Sequence, residues 1–237
     1  MKVHRFITEY EVKDKQVTIT DADVIHQWKN VLKFKKGEHI ELSSTGGMQA
    51  LCELSYVDKN EAVLSVIEEY ENKNKLEKDA TLYMAILKRE NFELVAQKAT
   101  ELGITTIVPI LTDRTIKQNL NFDRLNKIVK EASELSGRSS IPEIKEIMKF
   151  EDALKDSKKS ETQIFFDSTG TPLPRSDLGK TEIDTMSISL FIGPEGGWTE
   201  KEINLAKENN LPIISVSPLT LRGETAAIVA VYLGMNL

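Results

Sequence analysis

Cysteine is almost absent from this chain. Cys52 is the single one in 237 residues, so no disulfide can form within it, which suits a reducing compartment and a cytoplasmic location. Histidine is nearly as scarce. His4, His26 and His39 all fall near the start, without metal-ligand spacing, so no metal is expected and the later part of the chain lacks an imidazole base. Long apolar runs are missing. The longest, Ala226–Leu233, is far too short to cross a bilayer, and the first residues lead into alternation rather than an apolar leader, so no membrane partner is expected. Positive charge is in deficit: 31 Lys and Arg against 37 Asp and Glu give a formal net charge of −6. That excludes a generally basic nucleic-acid binder and confines any RNA contact to local patches. No G-x-S-x-G elbow occurs. The familiar nucleotide loops fail as well, since GPEGG (193–197) is not G-x-G-x-x-G, and Gly179-Lys180-Thr181 lacks a glycine five residues before it.

What is present falls into two parts. Residues 1–70 carry short alternating segments, RFIT, QVTIT, HIELSS, MQALCELSYV and AVLSVIEEY, around one helical stretch, DADVIHQWKNVLKF. STGG (44–47) reads as a hairpin connection. This predicts a small, mostly antiparallel β module. ENKNKLEKD (71–79) is polar and aperiodic and reads as a linker. From 80 to 237 the rhythm changes. The apolar strands ATLYMAILK, ITTIVPIL, TQIFF, SISLFI and IISV alternate with helices at NFELVAQKATELG, FDRLNKIVKEASEL, 200–209 and 224–235. Strands alternating with helices predict a parallel α/β sheet.

Ligands of such sheets bind where strands end at their carboxyl termini. Three late loops qualify: 167–179, IGPEGGW (192–198) and 217–226. Three glycines beside a proline exceed what an ordinary β-to-α loop needs, and Thr199 with Glu202 forms a capping box for the next helix. Arg222 and Glu224 stand at the mouth of a helix apolar on all sides, which is expected to be buried all round, in part by a second subunit. Lys29, Lys33, Lys35 and Lys36 form an acid-free basic cluster, either a solvated helix end or a polyanion-facing patch.

KATELGI (98–104), ASELSGRSSIPEI (132–144), IGPEGGW (192–198) and LRGETAA (221–227) occur together in this order. In these four segments, and in HRFI (4–7) and NVLKFKKGE (30–38), the chain resembles the RsmE family of bacterial methyltransferases in the SPOUT superfamily. The resemblance implies a SPOUT-type α/β knot, a trefoil-knotted, mostly parallel sheet over 80–237, with an N-terminal PUA-like small β-barrel domain over 1–70. It implies S-adenosylmethionine-dependent methylation of N3 of a uridine in 16S ribosomal RNA, by a homodimer that shares its active sites and needs no metal. The late loops would then hold the cofactor. Phe166 would come from the first. Ile192, Gly193, Pro194, Glu195, Gly196 and Gly197 would come from the second. Val216, Ser217, Leu219, Leu221 and Thr225 would come from the third and from the helix after it. Bare glycine backbone admits close approach of the adenosine. Glu195 would either fix its loop or lie near the reacting groups. Arg222 is the candidate for stabilising the anion left when uracil N3 loses its proton, with Glu224 orienting it. Arg5, Lys29, Lys33, Lys35 and Lys36, together with Arg114 and Arg138, are the expected RNA contacts. The chain departs from the family pattern at Lys33, Leu135, Ser217, Leu219, Thr220 and Gly223. Two other readings stay open: a SPOUT methyltransferase acting on another RNA nucleoside, and a catalytically silent RNA-binding assembly factor.

Overall fold

The computed structural model describes residues 3–44, 46–74, 76, 78–116, 119–172 and 186–236. The second half of the first expected loop, 173–179, lies outside them. The chain divides into two compact units, 1–75 with 133–140, and 76–132 with 141–237.

The first unit holds β1 (His4–Ile7), β2 (Gln16–Ile19), α1 (Ala22–His26), β3 (His39–Ser43), β4 (Met48–Val57) and β5 (Ala62–Glu71). The strand order is β1-β3-β4-β5-β2. β1 runs parallel to β3 and the other pairs are antiparallel. Alternation places Phe6, Ile40, Leu42, Cys52 and Leu64 in one core, closed by Trp28 from the helical segment. Asp21 caps α1 by accepting from the Asp23 and Val24 N–H groups. The helix read from the sequence as continuous changes character at Gln27 and finishes as a π-turn over Gln27–Val31. Leu32 N accordingly donates to Gln27 O, five residues back, at 2.9 Å. Residues 133–140 are tied within this unit. Glu134 accepts from Ile7 N at 3.0 Å, and Gly137 O accepts from Asn74 Nδ2 at 3.2 Å.

The second unit is built on one sheet. Its elements are β6 (Asp79–Ala85), α2 (Arg89–Glu101), β7 (Thr106–Leu111), α3 (Phe122–Ser136), β8 (Glu143–Ile144), β9 (Met148–Lys149) and α4 (Phe150–Asp156). They continue with β10 (Thr162–Pro172), β11 (Ser187–Ile192), α5 (Glu200–Glu208), β12 (Ile213–Ser215) and α6 (Gly223–Met235). The last residues of α3 belong to the first unit. The order is β12-β10-β11-β6-β7-β8, with β9 also on β7, and every pairing among the described residues is parallel. Both faces are apolar, as unbroken hydrophobic runs require. Leu82, Met84, Leu190 and Ile192 face the core shared with Ala227 and Val231. Tyr83, Phe165 and Phe191 face the core shared with Phe150 and Trp198.

One expectation changes here. The strand expected to stop after Phe166 runs on to Pro172, with its register against β12 shifting between Phe166 and Thr171. Gly170 makes that passage possible, because a Cβ there would lie 2.7 Å from the Ile213 carbonyl. Helix α6 is not covered all round within one chain. Gly223, Ala227, Ala230, Val231 and Gly234 are buried, while Tyr232 on the other side is 56% exposed. Gly234 packs so closely on β11 that a Cβ would meet Leu190 Cδ2 at 2.7 Å.

Candidate active site

A cleft of about 280 Å³ opens between the middle of β10 and the loops that follow β11 and β12. From the β10 segment Phe166, Asp167 and Ser168 line it. The β11 loop gives Ile192 to Trp198, all six of the residues expected there and Trp198 besides. The β12 loop gives Val216, Ser217, Leu219 and Leu221, with Thr220 between them. Thr225 is the exception: it does not line the cleft and is exposed on α6, whereas its neighbour Ala226 lines the wall. At about 100° per helical residue the two point in different directions.

Three ties hold this cleft. The indole Nε1 of Trp198 donates to Phe166 O at 3.0 Å, linking two of the lining segments. The indole is almost fully buried and stands 4.5 Å from the Phe165 ring. It fits because residue 193 is glycine: a Cβ there would lie 2.9 Å from Nε1. The second tie is Arg114, whose Nη1 donates to Gly196 O at 2.6 Å and to Trp198 O at 3.2 Å. A Cβ on Gly196 would have the stem of Arg114 as its nearest neighbour, at 3.4 Å, so this guanidinium, expected on RNA, is a brace of the glycine loop. The third tie is Glu195, whose Oε1 accepts from Lys88 N, at the N-cap of α2, at 3.1 Å. The carboxylate in the middle of the glycine loop therefore fixes the loop to a helix start. The β12 loop braces itself. Ser217 Oγ accepts from Leu219 N at 3.0 Å and Ser217 O accepts from Ser215 Oγ at 3.0 Å, which gives the departure at Ser217 a local role. Phe166, Ile192, Leu219 and Leu221 give the cleft its apolar lining, the chemistry that a purine ring takes.

A second cavity of about 480 Å³ shares Glu195, Thr220, Leu221 and Gly223 with the cleft and adds Lys88, Asn91, Arg222 and Glu224. Arg222 is the N-cap of α6 and makes no side-chain capping bond. Glu224 Oε2 is buried without a hydrogen-bond partner, so that atom does not orient Arg222 as the sequence suggested. The departure at Gly223 leaves room for Leu87, which a Cβ would approach to 3.2 Å. Lys88, Asn91 and Trp198 were not singled out from the sequence. Lys88 and Asn91 open α2 and meet α6 only through the fold, whereas Trp198 ended a motif already noted.

The basic residues expected on RNA divide. Lys33, Lys35 and Lys36 are exposed and Lys29 is half-buried. Arg5 pairs with Glu41, a buried carboxylate that also accepts from Tyr70 Oη at 2.7 Å. Arg138 is only 5% exposed, and burial pulls its guanidinium down to about 10, so it is not presented to a polyanion at the surface of this chain. Leu135, another departure, is 79% exposed.

A family model described as an RNA methyltransferase domain matches residues 74–234. The chain is 31% identical over 235 residues to ribosomal RNA small subunit methyltransferase E of Rickettsia conorii, covering 98% of this chain and 94% of that protein. The protein of the same name from Aquifex aeolicus is 28% identical over 239 residues, covering 99% and 100%. Among solved structures, a ribosomal RNA small subunit methyltransferase E from Neisseria gonorrhoeae bound to S-adenosyl methionine superimposes with a TM-score of 0.84 at 26% identity, over 97% of this chain and 95% of that one. With near full-length likeness on both counts, the chain belongs to the ribosomal RNA small subunit methyltransferase E family of RNA methyltransferases.

Proposed function

We propose that the chain methylates N3 of a uridine in 16S ribosomal RNA with S-adenosylmethionine as methyl donor. The observation that carries the reading is the braced cleft between the middle of β10 and the loops after β11 and β12. When bound, the cofactor supplies an electrophilic methyl group on a positively charged sulfur. The chain supplies alignment and a dry surface: Gly193, Gly196 and Gly197 offer backbone, while Phe166, Ile192 and Leu221 exclude water. Arg222 at the rim stabilises negative charge on the base as N3 gives up its proton.

On this reading residues 80–237 form a knotted SPOUT methyltransferase domain. The position of β12 outside β10, with α6 returning across β11 and β6, supports it. Residues 1–70 form the PUA-like RNA-binding domain, supported by the five-stranded sheet and the exposed lysines at 33, 35 and 36. The uncovered apolar side of α6 supports a homodimer. No described helix is long and apolar enough to cross a membrane, in keeping with work on ribosomal RNA in the cytoplasm.

The test is nucleoside analysis of 16S ribosomal RNA from a strain lacking the gene. Loss of 3-methyluridine, restored by the parent chain, is expected. Unchanged 3-methyluridine would overturn the assignment, and loss of a different methylated nucleoside would redirect it.

A further inference from the structure

The cleft and the cavity beside it share a wall, yet their chemistry differs. The cleft is lined by apolar side chains, glycine backbone and the hydroxyl or carboxylate groups of Asp167, Ser168, Ser217 and Thr220, with no cation among them. The cavity carries two cations, Lys88 and Arg222, one amide, Asn91, and two carboxylates, Glu195 and Glu224. Glu195 is committed to the backbone N–H of Lys88. Glu224 is not: its Oε2 is buried with no hydrogen-bond partner. A buried acceptor left unmet is costly, and such an atom calls for a function. The cavity also lies between two helix starts. Lys88 and Arg222 are the N-caps of α2 and α6, and Asn91 and Glu224 stand in their first turns. Both helices have 13 residues, so both bring positive dipole ends to the same space.

Building on the proposed uridine methylation, we propose that this cavity receives the target uracil and that Glu224 accepts the N3 proton. Uracil presents one donor, N3–H, flanked by two carbonyl acceptors. The cavity lining carries the complement: one unpartnered carboxylate oxygen, Glu224 Oε2, which a turn of its side chain would uncover, beside the donors of Asn91, Lys88 and Arg222. Cytosine would present an N3 lone pair to the Glu224 carboxylate and be repelled, so the same atom selects the base. In the reaction the N3–H pair stays on nitrogen and forms the bond to the methyl carbon. The carbon–sulfur pair leaves with sulfur, and the proton passes to Glu224 Oε2 and from there to water. The two cations and the helix starts hold the negative charge that develops on the uracil carbonyls.

The test uses the full chain. First, the protein is saturated with S-adenosylhomocysteine and titrated with uridine or cytidine 5′-monophosphate, with the Asn91 side-chain amide followed by NMR. The amide should shift with uridine and far less with cytidine, and Glu224→Gln should abolish that preference. Second, methylation of small subunits from the deletion strain is measured against pH. Glu224→Gln should lower turnover by about two orders of magnitude. Its rate should climb with pH across the range where the parent is flat, since hydroxide must take the proton. Cofactor affinity by calorimetry should stay parental. If Glu224→Gln does not fold, Asn91→Ala carries the test, with an expected weakening of uridine binding at unchanged cofactor affinity. Glu224→Gln with parental rate and pH profile, equal shifts for the two nucleotides, or parental uridine binding in Asn91→Ala overturns the subsite. A parent chain that leaves uridine unmethylated overturns the proposed function instead, and the NMR arm still decides whether uracil enters this cavity.

Discussion

Gly193→Ala tests the packing behind the cleft. The new Cβ would lie 2.9 Å from Trp198 Nε1, 3.0 Å from Cε2 and 3.2 Å from Cδ1. Ordinary contacts begin near 3.4 Å, so the indole or the loop must move. The indole has little freedom, because it donates to Phe166 O and packs on the Phe165 and Phe150 rings at 4.5 and 5.1 Å. Overpacking of this kind costs about 1–3 kcal/mol, which lowers Tm by about 2–4 °C for each kcal/mol in a chain of this size. Moving the loop also displaces the cleft wall, so cofactor affinity should fall with stability. Trp198→Phe alone should cost about 1–3 kcal/mol, since it leaves the Phe166 carbonyl unmet. The two changes should not add. A phenyl ring carries no Nε1, so Gly193→Ala combined with Trp198→Phe should recover about 1 kcal/mol of the summed cost. Gly46→Ala is the control, because its Cβ would meet only Ser44 Oγ, at 3.7 Å. The assays are urea unfolding and calorimetry with S-adenosylmethionine. Parental stability in Gly193→Ala, or strict additivity in the double variant, would refute the claim that glycine at 193 exists to admit the indole.

Three further outcomes are expected. Arg114→Ala removes both hydrogen bonds to the glycine-loop carbonyls; because the guanidinium is exposed, calorimetry should show cofactor binding weakened by only about 1 kcal/mol. Replacing Lys33, Lys35 and Lys36 together with Ala should reduce the salt slope of RNA binding by about one log–log unit for each of these lysines that meets a phosphate, with cofactor affinity unchanged; a parental slope in filter binding removes these lysines from the interface. The Cys52 thiol is pushed up to about 12 by burial and then by Glu69, so alkylation near pH 8 should be slow in the native chain and fast in urea; rapid native labelling would contradict this burial.

Much of the second unit was legible because its strands are buried on both faces and read as unbroken apolar runs, as in TQIFF and SISLFI. Strands β8 and β9, with two residues each, are too short to carry any period. Helix α4 begins at Phe150 behind an N-cap, Lys149, that makes no side-chain capping bond, so its beginning left no mark. The glycine loop announced itself by composition, and Trp198 stood at its end. Lys88 and Asn91 could not be found this way, since their meeting with Glu224 depends on two helix starts brought together by the sheet. Arg138 misled for a simpler reason: arginine is mostly exposed, and here it is not.

The strand order also fixes a timetable. β6 sits mid-sheet between β7 and β11, and Asp79 to Met84 pair with Ser187 to Ile192, more than a hundred residues later. On the ribosome, β6 and β7 emerge with one side of β6 unmet until β11 has been made. Leu82, Met84 and Tyr83, all fully buried at the end, wait in a partly built sheet. Distant pairing of this kind slows folding and leaves an apolar strand edge open to other chains meanwhile. This RNA methyltransferase thus completes its own core only after β11 and α6 have left the ribosomal tunnel.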